Sequence, residues 1–177
     1  MKKLLCLLMA LLLGTMTFAA AQSVEPTYDA TKALITELEA NEIDYVCHGY
    51  NESYIERLTV TFKGENVDKI TIDLFFQGHA DLECMMRAWS VVTYDDGDML
   101  TVYETLNTLN NRSRFARFYA DKSDNTVTCA VDANLPTIEV AEDGSPDAEI
   151  GAVLYGMLKT MAEHIDAYYP ELQAIAK

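Results

Sequence analysis

The sequence predicts an α+β fold in which helices pack on one antiparallel sheet. Apolar and polar residues alternate over 58–62 and 70–76, and the turn residues 64–66 separate the two runs, a pattern typical of a β-hairpin. Apolar residues also recur at helical spacing in three segments, 30–38, 99–109 and 150–168. The strands therefore stand in groups before and after a middle helix, with short turns between them, which favours an antiparallel sheet. The predicted order is α-β-β-β-β-α-β-β-α.

The first 21 residues are typical of a signal peptide. Lys2 and Lys3 are followed by the apolar run 4–13, and Ala19 and Ala21 offer the small residues that signal peptidase accepts. The apolar run is shorter than the roughly 20 residues of a membrane span, and no later segment approaches that length. We therefore expect residues 22–177 to form one exported domain without stable membrane association.

The first half of this domain should contain one helix and four strands. Thr27 is expected to cap the helix, with Asp29 in its first turn, and the helix should end near Asn41. Residues 43–50 predict the first strand, and the hairpin described above supplies the next two. Residues 81–94 predict a fourth strand with apolar residues on both faces, which indicates a central position in the sheet.

The second half should begin with the aspartate-rich segment 95–98, which ends the fourth strand and caps the second helix. Two further strands are expected to form a second hairpin, 115–121 and 126–134. Ser145 followed by Pro146 predicts the start of a closing helix, and Pro170 is expected to end it. This helix should bury Ile150, Val153, Leu154, Met157, Leu158, Met161, Ile165 and Tyr168.

The chain is acidic, with a formal net charge of −15 at pH 7. A charge of this sign argues against binding nucleic acid or anionic lipid over a broad face. Outside the predicted leader there are three cysteines, so at least one is free or paired with another molecule. Cys84 and Cys129 alternate with apolar residues and are expected to be buried, although a disulfide between them stays open.

No metal site is indicated. The acidic segments 95–98 and 142–144 lack the spacing of a calcium loop. His48, His79 and His164 lie in separate elements and lack the paired spacing of zinc ligands. We therefore expect no metal and no cofactor.

No catalytic motif is present either. The chain has no GxSxG elbow, no phosphate-binding loop and no CxxC pair. A triad assembled from distant residues, for example Ser90 with His79 and Asp81, has no pattern in its favour. The chain is therefore not expected to be an enzyme.

Positive charge gathers in the segment 106–121, where a helix ends in an asparagine-rich corner and a strand begins. Arg112, Arg114 and Arg117 could bind a carboxylate or phosphate, because guanidinium groups pair with both bidentately. Cations just past a helix C-terminus also satisfy its last carbonyls and its dipole. The asparagines of this segment, Asn107, Asn110 and Asn111, are expected to hold the turn from helix to strand.

The amino-acid sequence of this region resembles that of the YbjN family of proposed bacterial sensory transduction regulators. The resemblance lies in Leu-Asn-Thr-Leu-Asn at 106–110, Arg-Phe-Ala-Arg-Phe-Tyr at 114–119, the strand 126–135 and the long closing helix. It implies a fold like that of type III secretion chaperones and a domain that acts by contact with another protein. It implies no catalytic residue.

We therefore expect a non-enzymatic, exported domain that binds a protein partner, as a sensory, regulatory or chaperone-like accessory module in the periplasm or outside the cell. Arg112, Arg114 and Arg117 are its predicted contact surface. Two alternatives stay open. One is a receptor for small anionic ligands that uses the same arginines, and the other is a hydrolase without a recognisable motif. A homodimer through the apolar closing helix is a further option.

Overall fold

The computed structural model describes residues 24–51, 53, 55–77, 83–135 and 148–177. Within these residues there are three α-helices, α1 Asp29–Ala40, α2 Met99–Arg112 and α3 Ala148–Gln173. There are also six strands, β1 Asp44–Tyr50, β2 Ile55–Phe62, β3 Ile70–Gln77, β4 Glu83–Thr93, β5 Arg117–Asp121 and β6 Thr126–Asn134. The predicted α+β class and element order are confirmed. The predicted signal peptide and the predicted helix start at 145–146 lie outside the described residues.

The six strands form one antiparallel sheet in the order β1-β2-β3-β4-β6-β5. β2 and β3 pair along their whole length, with Leu58 opposite Leu74 and Val60 opposite Ile72, so the predicted hairpin is confirmed. β4 lies between β3 and β6, which is the central position that its two apolar faces indicated. β1 and β5 form the two edges.

The helices pack on one face of the sheet and share one hydrophobic core with it. Side chains without solvent exposure come from every layer: Leu34 of α1, Leu58, Ile72, Leu74 and Met86 of the sheet, Leu109 of α2 and Leu158 of α3. Each such side chain contributes about 1.5–3 kcal/mol by leaving water. α1 and α3 cross closely at Gly151, where a β-carbon would lie 2.6 Å from the carbonyl oxygen of Ala33.

The start of α1 differs from the prediction. Tyr28, not Thr27, is the N-cap residue, and no side chain of its own caps the helix. The buried carboxylate of Glu56, on β2, instead accepts the backbone N–H groups of Thr27 and Tyr28. A carboxylate is a stronger acceptor than a hydroxyl and also complements the positive end of the helix dipole. The helix start is therefore fixed by a residue of the sheet.

The prediction that Pro170 ends the closing helix was wrong, because α3 continues through it to Gln173. Proline has no N–H, so the carbonyl of Asp166, four residues earlier, loses its helical donor. The side-chain amide of Asn66, in the β2–β3 turn, donates to that carbonyl at 3.1 Å. The lost hydrogen bond is replaced from outside the helix, and the helix can therefore continue.

Val153 also departs from the predicted apolar stripe of α3, because its side chain is exposed. The buried stripe runs through Ile150, Leu154, Leu158, Met161 and Ile165. Val153 lies about 100° around the helix from Leu154, which turns it away from the sheet.

Cys47, Cys84 and Cys129 are buried, and no disulfide joins any two of them. Cys84 pairs with Ala133, whereas Cys129 pairs with Ala88, so the two cysteines lie four residues apart along neighbouring strands. This offset is roughly 13 Å, well beyond the Cα separation that a disulfide allows. The Cys84–Cys129 disulfide is therefore not formed, and burial raises the pKa of the Cys129 thiol to about 12.

Candidate interaction surfaces

The arginine corner, residues 110–118, joins the end of α2 to the edge strand β5. The side chain of Asn110 donates to the carbonyl of Phe118 at 2.7 Å and accepts the N–H of the same residue at 2.8 Å. This amide therefore takes the place of a neighbouring strand at the outer edge of β5. It confirms that Asn110 holds the corner, whereas Asn107 and Asn111 make no side-chain hydrogen bond to other described residues.

Two of the three predicted arginines are engaged within the protein. Nη1 of Arg117 donates to the carbonyl of Ser113 at 2.5 Å and, more weakly, to that of Asn110 at 3.4 Å, and thereby closes the C-terminal end of α2. Arg112 forms an ion pair with Glu171 of α3. Its guanidinium also lies over the ring of Tyr168, 5.1 Å from the centroid.

Arg114 is exposed and forms no ion pair with any described residue. The structure therefore brings the three arginines to one corner but gives each a different environment. Their role in partner binding stays a prediction.

A serine and a histidine meet beneath this corner. The hydroxyl of Ser113 donates to the carbonyl of Ala116 at 2.8 Å and lies 3.3 Å from Nδ1 of His164. Ser113 is only 2% exposed, so a substrate cannot reach its oxygen. The ring of His164 packs against those of Phe115 and Tyr168. This pair holds the corner to α3 and does not have the access of a nucleophile and its base.

The sequence-based triad is tested only in part. Ser90 is an exposed residue of β4, whereas His79 and Asp81 lie outside the described residues. In the part of the chain that the structure describes, no three histidine, cysteine or acidic side chains come together as metal ligands. None of the described helices is long and apolar enough to cross a membrane.

A second polar cluster lies on the outer sheet face, the face opposite the helices. Its centre is Asp73 of β3, which is only 5% exposed. The carboxylate accepts hydrogen bonds from Nη2 of Arg57 at 2.9 Å and from the hydroxyl of Thr59 at 2.6 Å. It also accepts the indole N–H of Trp89 at 3.1 Å. We call these four residues the Asp73 cluster.

The Asp73 cluster holds two large side chains in fixed positions. A buried carboxylate is unfavourable unless it is hydrogen-bonded and paired, and here three donors satisfy it. Two of those donors reach solvent, since the Arg57 side chain is 46% exposed and Trp89 is 49% exposed. The guanidinium of Arg57 also lies 5.9 Å from the centroid of Phe75. A buried charge thus orients an exposed arginine and an exposed tryptophan.

A bulge in β4 accompanies this arrangement. Ala88 pairs with Cys129 and Val92 pairs with Val127. Between these two pairs β4 advances by four residues, whereas β6 advances by two. Ser90, inside the bulge, has a φ of +51°, a left-handed conformation that is rare for a residue with a side chain. A regular strand would place Ser90 opposite Val127 and in the core. The bulge keeps Ser90 at the surface next to Trp89 and lets Val92 fill the core.

One row of paired residues connects the two surfaces across the outer sheet face. It runs through Thr59, Asp73, Arg87, Ala130 and Arg117. Arg87 is the cross-strand partner of Asp73 but does not bond to its carboxylate, because the guanidinium of Arg87 bonds to Asp132 and to the carbonyls of Met86 and Val131. Arg117 thus lies at the β5 end of the same face that carries Arg57.

Sequence reasoning missed the Asp73 cluster. Asp73 stands in the alternating run Ile-Thr-Ile-Asp-Leu, where the period places it on the polar side. The hairpin register pairs it with Thr59 and places Arg57 diagonally beside it. Comparing the residues that face each other across this hairpin could have identified the pair of Asp73 and Arg57, although not the burial of Asp73.

A family model described as "Putative bacterial sensory transduction regulator", named YbjN, matches residues 36–174. No curated protein sequence matches the chain. The matched range includes all six strands, α2, α3, both surfaces described above and the last five residues of α1. The chain therefore belongs to the YbjN family.

Proposed function

We propose that the chain is a non-enzymatic regulatory module that acts by binding another protein through its outer sheet face. The family to which it belongs is described as a sensory transduction regulator, and this supports a regulatory role. The observation that carries the proposal is the Asp73 cluster, which holds Trp89 and Arg57 half-exposed in fixed positions. Tryptophan and arginine are the residues that most often dominate protein–protein binding energy.

Fixed side chains favour binding because less conformational entropy is lost when the partner arrives. The outer sheet face offers further large side chains around the cluster. Tyr119 of β5 is exposed, and Phe75 and Met85 are half-buried in the same layer. This composition is typical of the centre of an interface, where aromatic residues, methionine and arginine are enriched.

Binding by addition of a strand is not favoured, because contacts within the chain occupy part of each sheet edge. At the β5 edge, Asn110 takes both backbone groups of Phe118. At the β1 edge, the N–H of Val24 donates to the carbonyl of Cys47 at 3.0 Å. Strand addition needs rows of unpaired backbone groups. These contacts support a partner that lies on the face of the sheet.

We further propose that the domain works outside the cytoplasm, in the periplasm or after secretion, because residues 1–21 have the pattern of a signal peptide. Expression of the tagged full chain followed by N-terminal sequencing tests this. A mature chain that starts near Gln22 in the envelope or medium supports export. An uncleaved chain in the cytoplasm would contradict it.

The protein-binding proposal is tested by crosslinking residues 22–177, tagged, in the native envelope fraction and identifying partners by mass spectrometry. We expect one dominant partner, captured less by Trp89→Ala than by the wild type. Arg114→Glu tests the predicted corner surface in the same assay. Circular dichroism and thermal unfolding establish that each variant is folded. No partner, or only the chain crosslinked to itself, would contradict the proposal.

A further inference from the structure

The arginines of the chain lie on two neighbouring surfaces, the outer sheet face and the arginine corner. The sequence contains five of them, Arg57, Arg87, Arg112, Arg114 and Arg117. Three belong to the outer sheet face, and the other two lie in the arginine corner beside it. The rest of this acidic chain carries lysines only. The outer sheet face is therefore where a carboxylate can find guanidinium partners.

Two of these arginines keep positive charge available for a ligand at opposite ends of the face. Arg57 uses one nitrogen on Asp73, and about half of its side chain is exposed, which leaves further N–H groups at the surface. Arg117 bonds only to neutral carbonyls among the described residues, so no carboxylate there compensates its charge. Arg87, in contrast, is paired with Asp132.

The distance between these two arginines follows from the sheet order. Arg57 lies on β2 and Arg117 on β5, and four strand spacings separate them. At about 4.8 Å per spacing this is about 19 Å, which an extended chain covers in about six residues. The strands between them carry Phe75, Met85 and Trp89 together with the ion pair of Arg87 and Asp132, and Tyr119 lies beside Arg117 on β5. The face therefore presents two positive ends, with large apolar side chains and one internal ion pair between them.

We propose that the outer sheet face binds a peptide segment in which two acidic residues, about six positions apart, flank large apolar side chains. The acidic residues pair with Arg57 and Arg117, and the apolar side chains cover Trp89 and Phe75. The chain as a whole is acidic and disfavours such a segment, so the arginines determine where it binds. This inference rests on the proposed function and adds the chemical class of the partner.

Trp89 is the only tryptophan in the chain, so its fluorescence reports on this surface alone. The test selects binders to residues 22–177 from a random peptide library displayed on phage and titrates the selected synthetic peptides. We expect the selected peptides to carry two acidic residues with apolar residues between them. Their binding should shift the emission of Trp89, and replacing their acidic residues by amides should weaken binding about tenfold or more.

Arg57→Gln and Arg117→Gln should each weaken peptide binding about tenfold, because each removes one charge-assisted pair. Lys159→Gln is the matched control, since it removes one positive charge from the exposed side of α3 and should leave binding unchanged. If Arg57→Gln unfolds the domain, Arg117→Gln still decides the result. Selected peptides without acidic residues, an absence of selected peptides, or binding insensitive to Arg117→Gln would overturn the inference.

The two proposals fail in different ways. An envelope partner whose capture does not depend on Arg57 or Arg117 would overturn the acidic-segment inference and leave the protein-binding function standing. The absence of any envelope partner would overturn the function itself.

Discussion

The arginine corner and the Asp73 cluster use polar side chains in opposite ways. In the corner, Asn110 and Arg117 bind backbone groups and thereby fix the turn that connects α2 to β5. In the Asp73 cluster, side chains bind one another and leave Arg57 and Trp89 half-exposed. The corner is the place where positive charge is densest in the sequence, yet two of its arginines have partners within the chain. The difference shows that a charge in the sequence becomes a binding group only through what it contacts in the fold.

The largest effect is expected in the corner, from Asn110→Ala. This change leaves the N–H and the carbonyl of Phe118 without their partners, and we expect a loss of about 2–3 kcal/mol in the free energy of unfolding. Urea denaturation followed by circular dichroism measures it. Asn107→Ala, on the exposed side of the same helix, is the matched control and should change stability by less than about 0.5 kcal/mol. Equal effects of the two changes would show that the corner does not depend on Asn110.

A smaller effect is expected in the Asp73 cluster. Arg57→Ala leaves the buried carboxylate of Asp73 with two neutral donors, and we expect a loss of about 1–2 kcal/mol, since the exposed side of Arg57 is screened by water. Asp73→Asn removes the charge, so the double variant should lose less stability than the sum of the single losses. A double-mutant cycle in urea measures this coupling. Simple additivity would show that the two groups act independently.

The arginines of the corner should contribute less still. Arg112→Gln removes an exposed ion pair with Glu171 and the contact with Tyr168, for which we expect a small loss of stability. Arg114→Gln, two residues away, should change stability by less than about 0.5 kcal/mol. Thermal unfolding of the two variants side by side separates them. A larger loss for Arg114→Gln would mean that it has a structural partner.

The smallest effect is expected from Asp166, a carboxylate that binds backbone groups as the corner residues do. Partial desolvation opposes ionisation, but the N–H groups of Asn66, Glu65 and Val67 outweigh it and lower the pKa of Asp166. Its contribution to stability is therefore present above the unfolded-state pKa, about 3.9, and is lost as the pH falls through the lower folded value. Urea midpoints measured across acid pH should fall less steeply for Asp166→Asn than for the wild type. Glu163→Gln, on the same helix, is the control and should keep the wild-type slope.

The sequence predicted elements whose signal is local. The alternation of apolar and polar residues was sufficient to predict the β2–β3 hairpin. The asparagine-rich sequence indicated the corner that Asn110 holds. The errors at Thr27 and Pro170 have a shared cause. In both places a helix depends on a residue that is distant in sequence. Glu56 fixes the start of α1, and Asn66 replaces the hydrogen bond that α3 loses at Pro170.

The candidate site was less predictable than the fold for the same reason. The burial of Asp73 depends on three donors from two other strands, and one of them, Trp89, lies in a bulge that no periodic pattern predicts. Arg112, Arg114 and Arg117 could be found as a cluster, but Glu171, which binds Arg112, stands 59 residues away. A local pattern identifies which residue types are present. Contacts with residues distant in sequence determine whether those side chains are available to bind a partner.

The contact between Asp166 and the β2–β3 turn joins residues 100 positions apart, which has a consequence for the order of folding. Closing so long a loop is entropically unfavourable until the intervening strands have paired. The hairpin should therefore form early, and α3 should dock on it late. Asp166→Asn is then expected to speed unfolding and to leave the folding rate nearly unchanged in stopped-flow measurements. A slower folding rate would place the docking of α3 in the folding nucleus.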